Sequence, residues 1–249
     1  MEKRLQGKIA LITGGSRGIG AAIARRLAKE GCHIAISYSA SKEKADALVN
    51  ELQKENIQAL ALHADQANRK QVEELVQKVG KHFGRIDILV NNAGVLAMGA
   101  IDDPHLDLEG MANQHAVNIE GVFSTTHAAV PFMKSGARII TIGSIAAERM
   151  TDTGGANYAA SKAALVGYTR GWARDLGPKN ITVNLVQPGH TNTDMNPEDA
   201  EYAKNAKKII PLGRYATPED IASGVAFLAS PDAAYITGTT LNIDGGFLA

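Results

Sequence analysis

Lys8-Ile9-Ala10-Leu11-Ile12-Thr13-Gly14-Gly15-Ser16-Arg17-Gly18-Ile19-Gly20 is the stretch that decides how this chain folds. Residues 8–13 read as a short apolar strand and residues 18–30 as a helix, with glycines gathered in the turn between them. Glycines at such a turn let the backbone approach a pyrophosphate, which then rests at the positive N-terminus of the helix. The spacing is G-x-x-x-G-x-G rather than the commoner G-x-G-x-x-G. A plain glycine-rich turn is the alternative, and the strand before it and the long helix after it favour phosphate binding.

Outward from that turn the same alternation continues. Residues 33–37, 59–63, 86–91, 137–144, 181–187 and 240–243 are short runs rich in Ile, Leu, Val and Ala. Near-continuous apolar runs are what burial on both faces of a sheet produces. Between them, residues 42–55, 69–83, 106–133, 157–176 and 218–229 carry a helical period. Gly31, Gly84 and Gly177-Pro178 punctuate helix ends. The pattern predicts an α/β fold: a single-domain Rossmann architecture over residues 1–249, with a doubly wound parallel sheet of about seven strands flanked by helices. Residues 189–212 are too long for a simple connection and are predicted to form an irregular substrate loop, or lid.

Composition narrows the function classes. A chain of 249 residues is long enough for one substantial core. Lys plus Arg and Asp plus Glu number 26 each, so no net field draws nucleic acid or an anionic membrane. The single cysteine, Cys32, cannot form a disulfide within the chain, which suits a reducing compartment, and it reads as buried filler. The first eight residues lack the apolar core of a signal peptide, and no apolar run approaches the ~18 residues of a membrane span. A soluble cytoplasmic protein is expected. The seven histidines have no metal-ligand spacing, so no metal is expected. His190 is worth watching, since substrate contact and simple exposure are both open for it.

Two further stretches carry chemistry. Gly154-Gly155-Ala156-Asn157-Tyr158-Ala159-Ala160-Ser161-Lys162 sets Tyr158 and Lys162 on one helical face, about 5–6 Å apart. A neighbouring ammonium favours the phenolate, so the pairing predicts a lowered Tyr158 pKa suited to proton transfer. Ser144 lies fourteen residues earlier. A core tyrosine with a solvated lysine is the bland alternative, and the glycine turn and Ser144 weigh against it. At the end of the second strand, Ser37-Tyr38-Ser39-Ala40-Ser41-Lys42 has no acid before Glu43. NAD-binding chains place a carboxylate there for the ribose 2′-hydroxyl. Arg17, Ser39 and Lys42 could instead surround a 2′-phosphate, so NADP(H) is the expected cofactor.

The ordered motifs resemble the classical short-chain dehydrogenases/reductases over essentially the whole chain, and within them the 3-oxoacyl-carrier-protein-reductase-like group. They are the Thr13 to Gly20 turn, Asp65, Asn91-Asn92-Ala93-Gly94, Asn118, Ser144, Tyr158, Lys162, Pro188-Gly189 and the C-terminal Gly238-Thr239-Thr240-Leu241-Asn242-Ile243-Asp244-Gly245-Gly246. The resemblance implies a catalytic set of Asn118, Ser144, Tyr158 and Lys162. Tyr158 would be the acid in carbonyl reduction, Ser144 would polarise the carbonyl, Lys162 would tune Tyr158 and hold the nicotinamide ribose, and Asn118 would hold a relay water. It also implies cofactor contacts from Gly14, Ser16, Arg17, Gly18, Ile19, Gly20, Tyr38 and Ser39. Asp65 would meet the adenine, with Asn91, Ala93 and Gly94 on the adenosine ribose side. Pro188, Gly189, Thr191 and Thr193 would lie by the nicotinamide or phosphates.

These readings lead to an NADPH-dependent oxidoreductase reducing a ketone or 3-oxoacyl-type carbonyl to a secondary alcohol by hydride transfer. An NAD(P)⁺-dependent alcohol or sugar dehydrogenase uses the same residues in the opposite direction. A cyclic-dinucleotide-binding regulator on the same fold is a further alternative, because residues 143–150 and 187–197 resemble a branch linked to cyclic-diguanylate binding. The Ser144 to Tyr158 spacing is one residue longer than in the carrier-protein reductases, and the charged Glu148-Arg149-Met150 falls in that wall, which leaves the substrate open. Arg138, Arg170 and Arg174 are candidates for a carrier-protein surface. The helices at 106–133 and 157–176 imply pairing between subunits, as a homotetramer or dimer.

Overall fold

The computed structural model describes residues 3–249; Met1 and Glu2, part of the stretch read against a signal peptide, lie outside the described residues. Its strands are β1 (Ile9–Ile12), β2 (His33–Tyr38), β3 (Ala59–His63), β4 (Ile88–Asn91), β5 (Arg138–Ile142), β6 (Thr182–Pro188) and β7 (Thr240–Ile243). They form one parallel sheet in the order β3-β2-β1-β4-β5-β6-β7. Ala10 of β1 sits between Ile34 of β2 and Ile88 of β4, so the strand order reverses direction beside β1. Ligands in open α/β sheets bind outside the carboxyl ends of the strands at such a switch point.

Alternate strand residues serve opposite faces of the sheet, which is why the strand sequences are apolar throughout. Ala10, Ile12, Ile34, Ile36, Ile88 and Val90 pack under helices α1 (Gly18–Lys29) and α8 (Pro218–Ala229), through Ile23, Leu27, Val225 and Leu228. Leu11, Ala35, Leu89 and Ile139 face the other way, toward Leu75 and Val76 of α3 (Arg69–Phe83) and Leu176 of α6 (Ala156–Leu176). Each fully buried Leu, Ile or Val contributes about 1.5–3 kcal/mol. Helix α2 (Lys42–Leu52) buries Ala45, Leu48 and Leu52 beside α1.

Three expectations are revised. The helix read over 106–133 is α4 (Leu108–His115), a π turn at Ala116–Glu120, α5 (Gly121–Ala129) and a 3-10 turn at Val130–Phe132. The Gly121 N–H reaches back to the Ala116 carbonyl, the five-residue step of a π turn. Residues 189–212 are not wholly irregular, since they contain α7 (Glu201–Ile209). Gly177 does not stop α6 in a left-handed conformation. The chain continues through a 3-10 turn, Gly177–Lys179, and Asn180 adopts φ 56°.

Candidate active site

Thr13 directly follows β1, its hydroxyl accepting from the N–H groups of Asn92 and Ala93 at 3.0 and 3.1 Å. The Asn92 amide returns two bonds, to the carbonyls of Thr13 and Gly14. The glycine turn is thereby tied to the loop after β4. Gly14 has φ +62°, and a Cβ there would lie 2.9 Å from Ala93 Cα. A Cβ on Gly20 would come within 2.6 Å of both Asn92 Nδ2 and the Gly14 carbonyl. Arg17 caps α1 without a side-chain bond to its N–H groups, and no acid stands in the first turn. Free N–H groups at a helix N-terminus suit an anion, and the glycines leave room for the approach of one. The turn therefore fits the pyrophosphate of a dinucleotide.

One cleft of about 1120 Å³ runs along the carboxyl edge of the sheet. Of the residues singled out in the sequence, it is lined by Gly14, Ser16, Arg17, Gly18, Ile19, Gly20, Tyr38, Ser39 and Asp65. Ala93, Gly94, Ser144, Tyr158, Lys162, Pro188, Gly189, Thr191 and Thr193 continue its lining. Two others stand behind the wall. Asn91 is buried, its amide donating to the Thr126 and Thr141 hydroxyls, so its side chain does not line the adenosine side as expected. Asn118 is buried in the π turn, accepting from Val95 N–H at 2.9 Å and donating to the Val95 carbonyl and the Ser161 hydroxyl. With both amide hydrogens committed, the side chain props the loop after β4.

Tyr158 and Lys162 sit one turn apart on α6, with the ammonium 5.7 Å from the centre of the phenol ring. Lys162 Nζ donates to the Ile142 carbonyl at 3.0 Å, which fixes it at the end of β5. Burial pushes the Lys162 pKa down to about 8. Burial also raises that of Tyr158, with a hydrogen bond from Ser144 pulling the other way. The expected lowering of the tyrosine pKa is therefore not met; the cost of placing charge among protein atoms outweighs the Ser144 hydrogen bond. Ser144 Oγ accepts from Ala146 N–H at 3.1 Å as the strand turns into a 3-10 segment, Ile145–Ala147.

Beyond Ser144 and Tyr158 the cleft becomes apolar. Leu96, Met98, Met150, Met195 and Phe247 line it, with Tyr202, Asn205, Ala206 and Ile209 from one face of α7. His190 stacks on Tyr215 and meets the edge of Phe247, and burial lowers its pKa. Arg149 lies 5.4 Å above the Phe247 ring. The α7 residues follow the i, i+3, i+4, i+7 spacing of a helix, which was present in the sequence but hidden by the polar, proline-containing approach to it.

Charge placement at the other end differs from expectation. Lys42 turns along α2 to pair with Asp46 at 2.5 Å. Arg17 Nη1 instead meets Asp194 Oδ2 at 3.1 Å, and Lys44 Nζ meets the same oxygen at 3.4 Å. Ser39, Ala40 and Ser41 line the cleft beside them. Arg138 is buried with its guanidinium on the Gly136 and Ala137 carbonyls, so it does not form part of a carrier-protein surface. The Cys32 thiol is buried and donates to the Lys8 carbonyl. Among the described residues, no three His, Cys, Asp or Glu side chains cluster as a metal site, and no helix is long and apolar enough to cross a membrane.

A family model described as Enoyl-(Acyl carrier protein) reductase matches residues 14–248. The chain is 40% identical over 241 residues to the cyclic-di-GMP-binding biofilm dispersal mediator protein of Escherichia coli, covering 97% of each. It is 40% identical over 243 residues to a 3-oxoacyl-acyl-carrier-protein reductase of Staphylococcus aureus, covering 96% of this chain and 97% of that one. A crystal structure of a short-chain dehydrogenase from Burkholderia cenocepacia in complex with NADP is 47% identical. It superimposes with a TM-score of 0.96 over 99% of this chain and 100% of that chain.

Proposed function

The chain belongs to the short-chain dehydrogenase/reductase family, and on that footing we propose that it is an NADPH-dependent reductase converting a ketone to a secondary alcohol. The observation that carries this reading is the convergence of Ser144, Tyr158 and Lys162 on the same cleft as the glycine turn. The bound cofactor would supply hydride to the carbonyl carbon.

The chain's own residues do the rest. The glycine turn and the start of α1 hold the pyrophosphate, Arg17 and Ser39 face the 2′-phosphate, and Asp65 the adenine. Ala93 and Gly94 border the adenosine ribose, and Pro188, Gly189, Thr191 and Thr193 border the nicotinamide. Ser144 donates a hydrogen bond to the carbonyl oxygen as it gains charge. Tyr158, whose raised pKa keeps it a phenol at neutral pH, gives that oxygen its proton. Lys162 orients the phenol and holds the nicotinamide ribose. In alcohol oxidation the same phenolate accepts the proton, so direction follows the cofactor ratio. Asn118 acts as a positioning residue for the loop that carries Gly94.

Residues 189–212, with α7 among them, form the substrate loop over an apolar pocket that suits the body of a ketone. Half-buried Tyr168 and Trp172 stack at 4.6 Å beside exposed Phe123, an aromatic face suited to pairing α5 and α6 with a second copy. That face and the lone free cysteine support a homotetramer or dimer in the cytoplasm.

One second reading has an observation behind it: the match to a cyclic-di-GMP-binding protein. A steady-state comparison of NADPH with NADH across aromatic ketones, β-ketoesters and 3-oxoacyl thioesters decides between them. NADPH consumption with a ketone is the expected result. A strong NADH preference overturns the cofactor assignment, and no consumption together with tight cyclic-diguanylate binding overturns the enzyme.

A further inference from the structure

We infer that Asp194 is a built-in counter-ion for the 2′-phosphate site, a positioning residue that an incoming NADP(H) must displace and that NAD(H) leaves in place. The inference rests on the NADP(H) reading above. Asp194 belongs to the loop after β6, yet its carboxylate crosses to the opposite lip of the cleft. There it holds Arg17 at 3.1 Å, on the glycine turn, and Lys44 at 3.4 Å, in the first turn of α2. The neighbouring Thr193 lies against the turn, since a Cβ on Gly18 would meet its methyl at 3.5 Å.

Charge balance makes the arrangement conditional. Arg17 and Lys44 supply two positive charges and Asp194 removes one of them. A phosphate monoester brings about −1.5 to −2 at neutral pH. Arg17 and Lys44 together can neutralise that group only if the carboxylate leaves, because like charges sharing two cations repel. A 2′-hydroxyl carries no charge and has no such effect. Coenzyme choice is thereby coupled to whether the loop that carries α7 stays fastened to the glycine turn. All three side chains are more than half exposed, at 54, 58 and 61%, so each pairing is weak and the exchange easy.

Fluorescence titration of NADPH and NADH against wild type, Asp194→Asn and Asp194→Glu tests this at low and high ionic strength. Asp194→Asn is expected to tighten NADPH by about two- to fivefold, steepen its salt dependence and leave NADH unchanged. Asp194→Glu should restore the wild-type pattern. In wild type, amide hydrogen exchange of residues 193–199 should quicken with NADPH and not with NADH. NADPH binding that is unchanged or weaker in Asp194→Asn, equal tightening of NADH, or exchange rates indifferent to the coenzyme would each overturn the inference. A wild type that itself prefers NADH would instead sink the cofactor reading on which it rests.

Discussion

Lys162 is the side chain whose environment is furthest from the one its sequence neighbours suggest. Four residues from Tyr158 it reads as a charge-pairing partner, but burial holds its pKa at about 8, and its ammonium is fixed by the Ile142 carbonyl. The consequence for stability has a definite sign. Between about pH 8 and 10.5 the unfolded chain binds the proton that the folded chain has released, so stability rises with pH across that window. Below it the full cost of a buried ammonium, on the order of 3 kcal/mol, is present. Lys162→Met should flatten this rise in urea unfolding followed from neutral to alkaline pH; an unchanged slope would show that the lysine titrates normally. In catalysis burial keeps Tyr158 a phenol through neutral pH, so carbonyl reduction should hold there and decline only in alkaline solution as alcohol oxidation rises, which paired pH–rate profiles would show. Ser144, Tyr158 and Lys162 were legible as a set once the glycine turn and the family resemblance stood beside their spacing. The direction of the tyrosine shift was not, because burial is decided by residues far along the chain.

Strands and most helices were readable because each buries a continuous or periodic apolar surface, as in Ile34-Ala35-Ile36 or the α3 face of Val72, Leu75, Val76 and Val79. The π turn at Ala116–Glu120 was not, since its reason is tertiary: Asn118 must reach Val95 and Ser161 at once. Helix α7 was missed although Tyr202, Asn205, Ala206 and Ile209 had the spacing of one face. Truncating Tyr202 and Ile209 to Ala should raise KM for apolar ketones severalfold and leave NADPH affinity unaltered, as steady-state kinetics and titration would show. A matching loss of cofactor affinity would place α7 in the nucleotide site instead. The glycine turn gives a sharper expectation. Gly20→Ala would drive a Cβ to 2.6 Å from the Gly14 carbonyl and Asn92, costing about 1–3 kcal/mol in thermal unfolding together with cofactor binding. Normal stability and affinity would contradict the close approach.

At the scale of the molecule, one parallel sheet brings segments distant in sequence to a single edge. The Thr13 to Gly20 turn, the loop after β4, Ser144, α6 and the loop after β6 all meet there because every strand ends on the same side. That convergence could be anticipated from the order of motifs. The pairing of Lys44 with Asp194, 150 residues apart, left no local trace in the sequence. The outer aromatic face of Phe123, Tyr168 and Trp172 carries its own expectation: Phe123→Asp with Trp172→Ala should reduce the proposed dimer or tetramer to monomers in light scattering, and an undisturbed oligomer would move the interface elsewhere. The central claim concerns a proton leaving Tyr158, and a paired measurement on Tyr158→Phe tests it most directly. NADPH binding by fluorescence should match wild type while ketone reduction falls by about 10²–10⁴-fold. Turnover within a few-fold of wild type, with the cofactor bound, would contradict it.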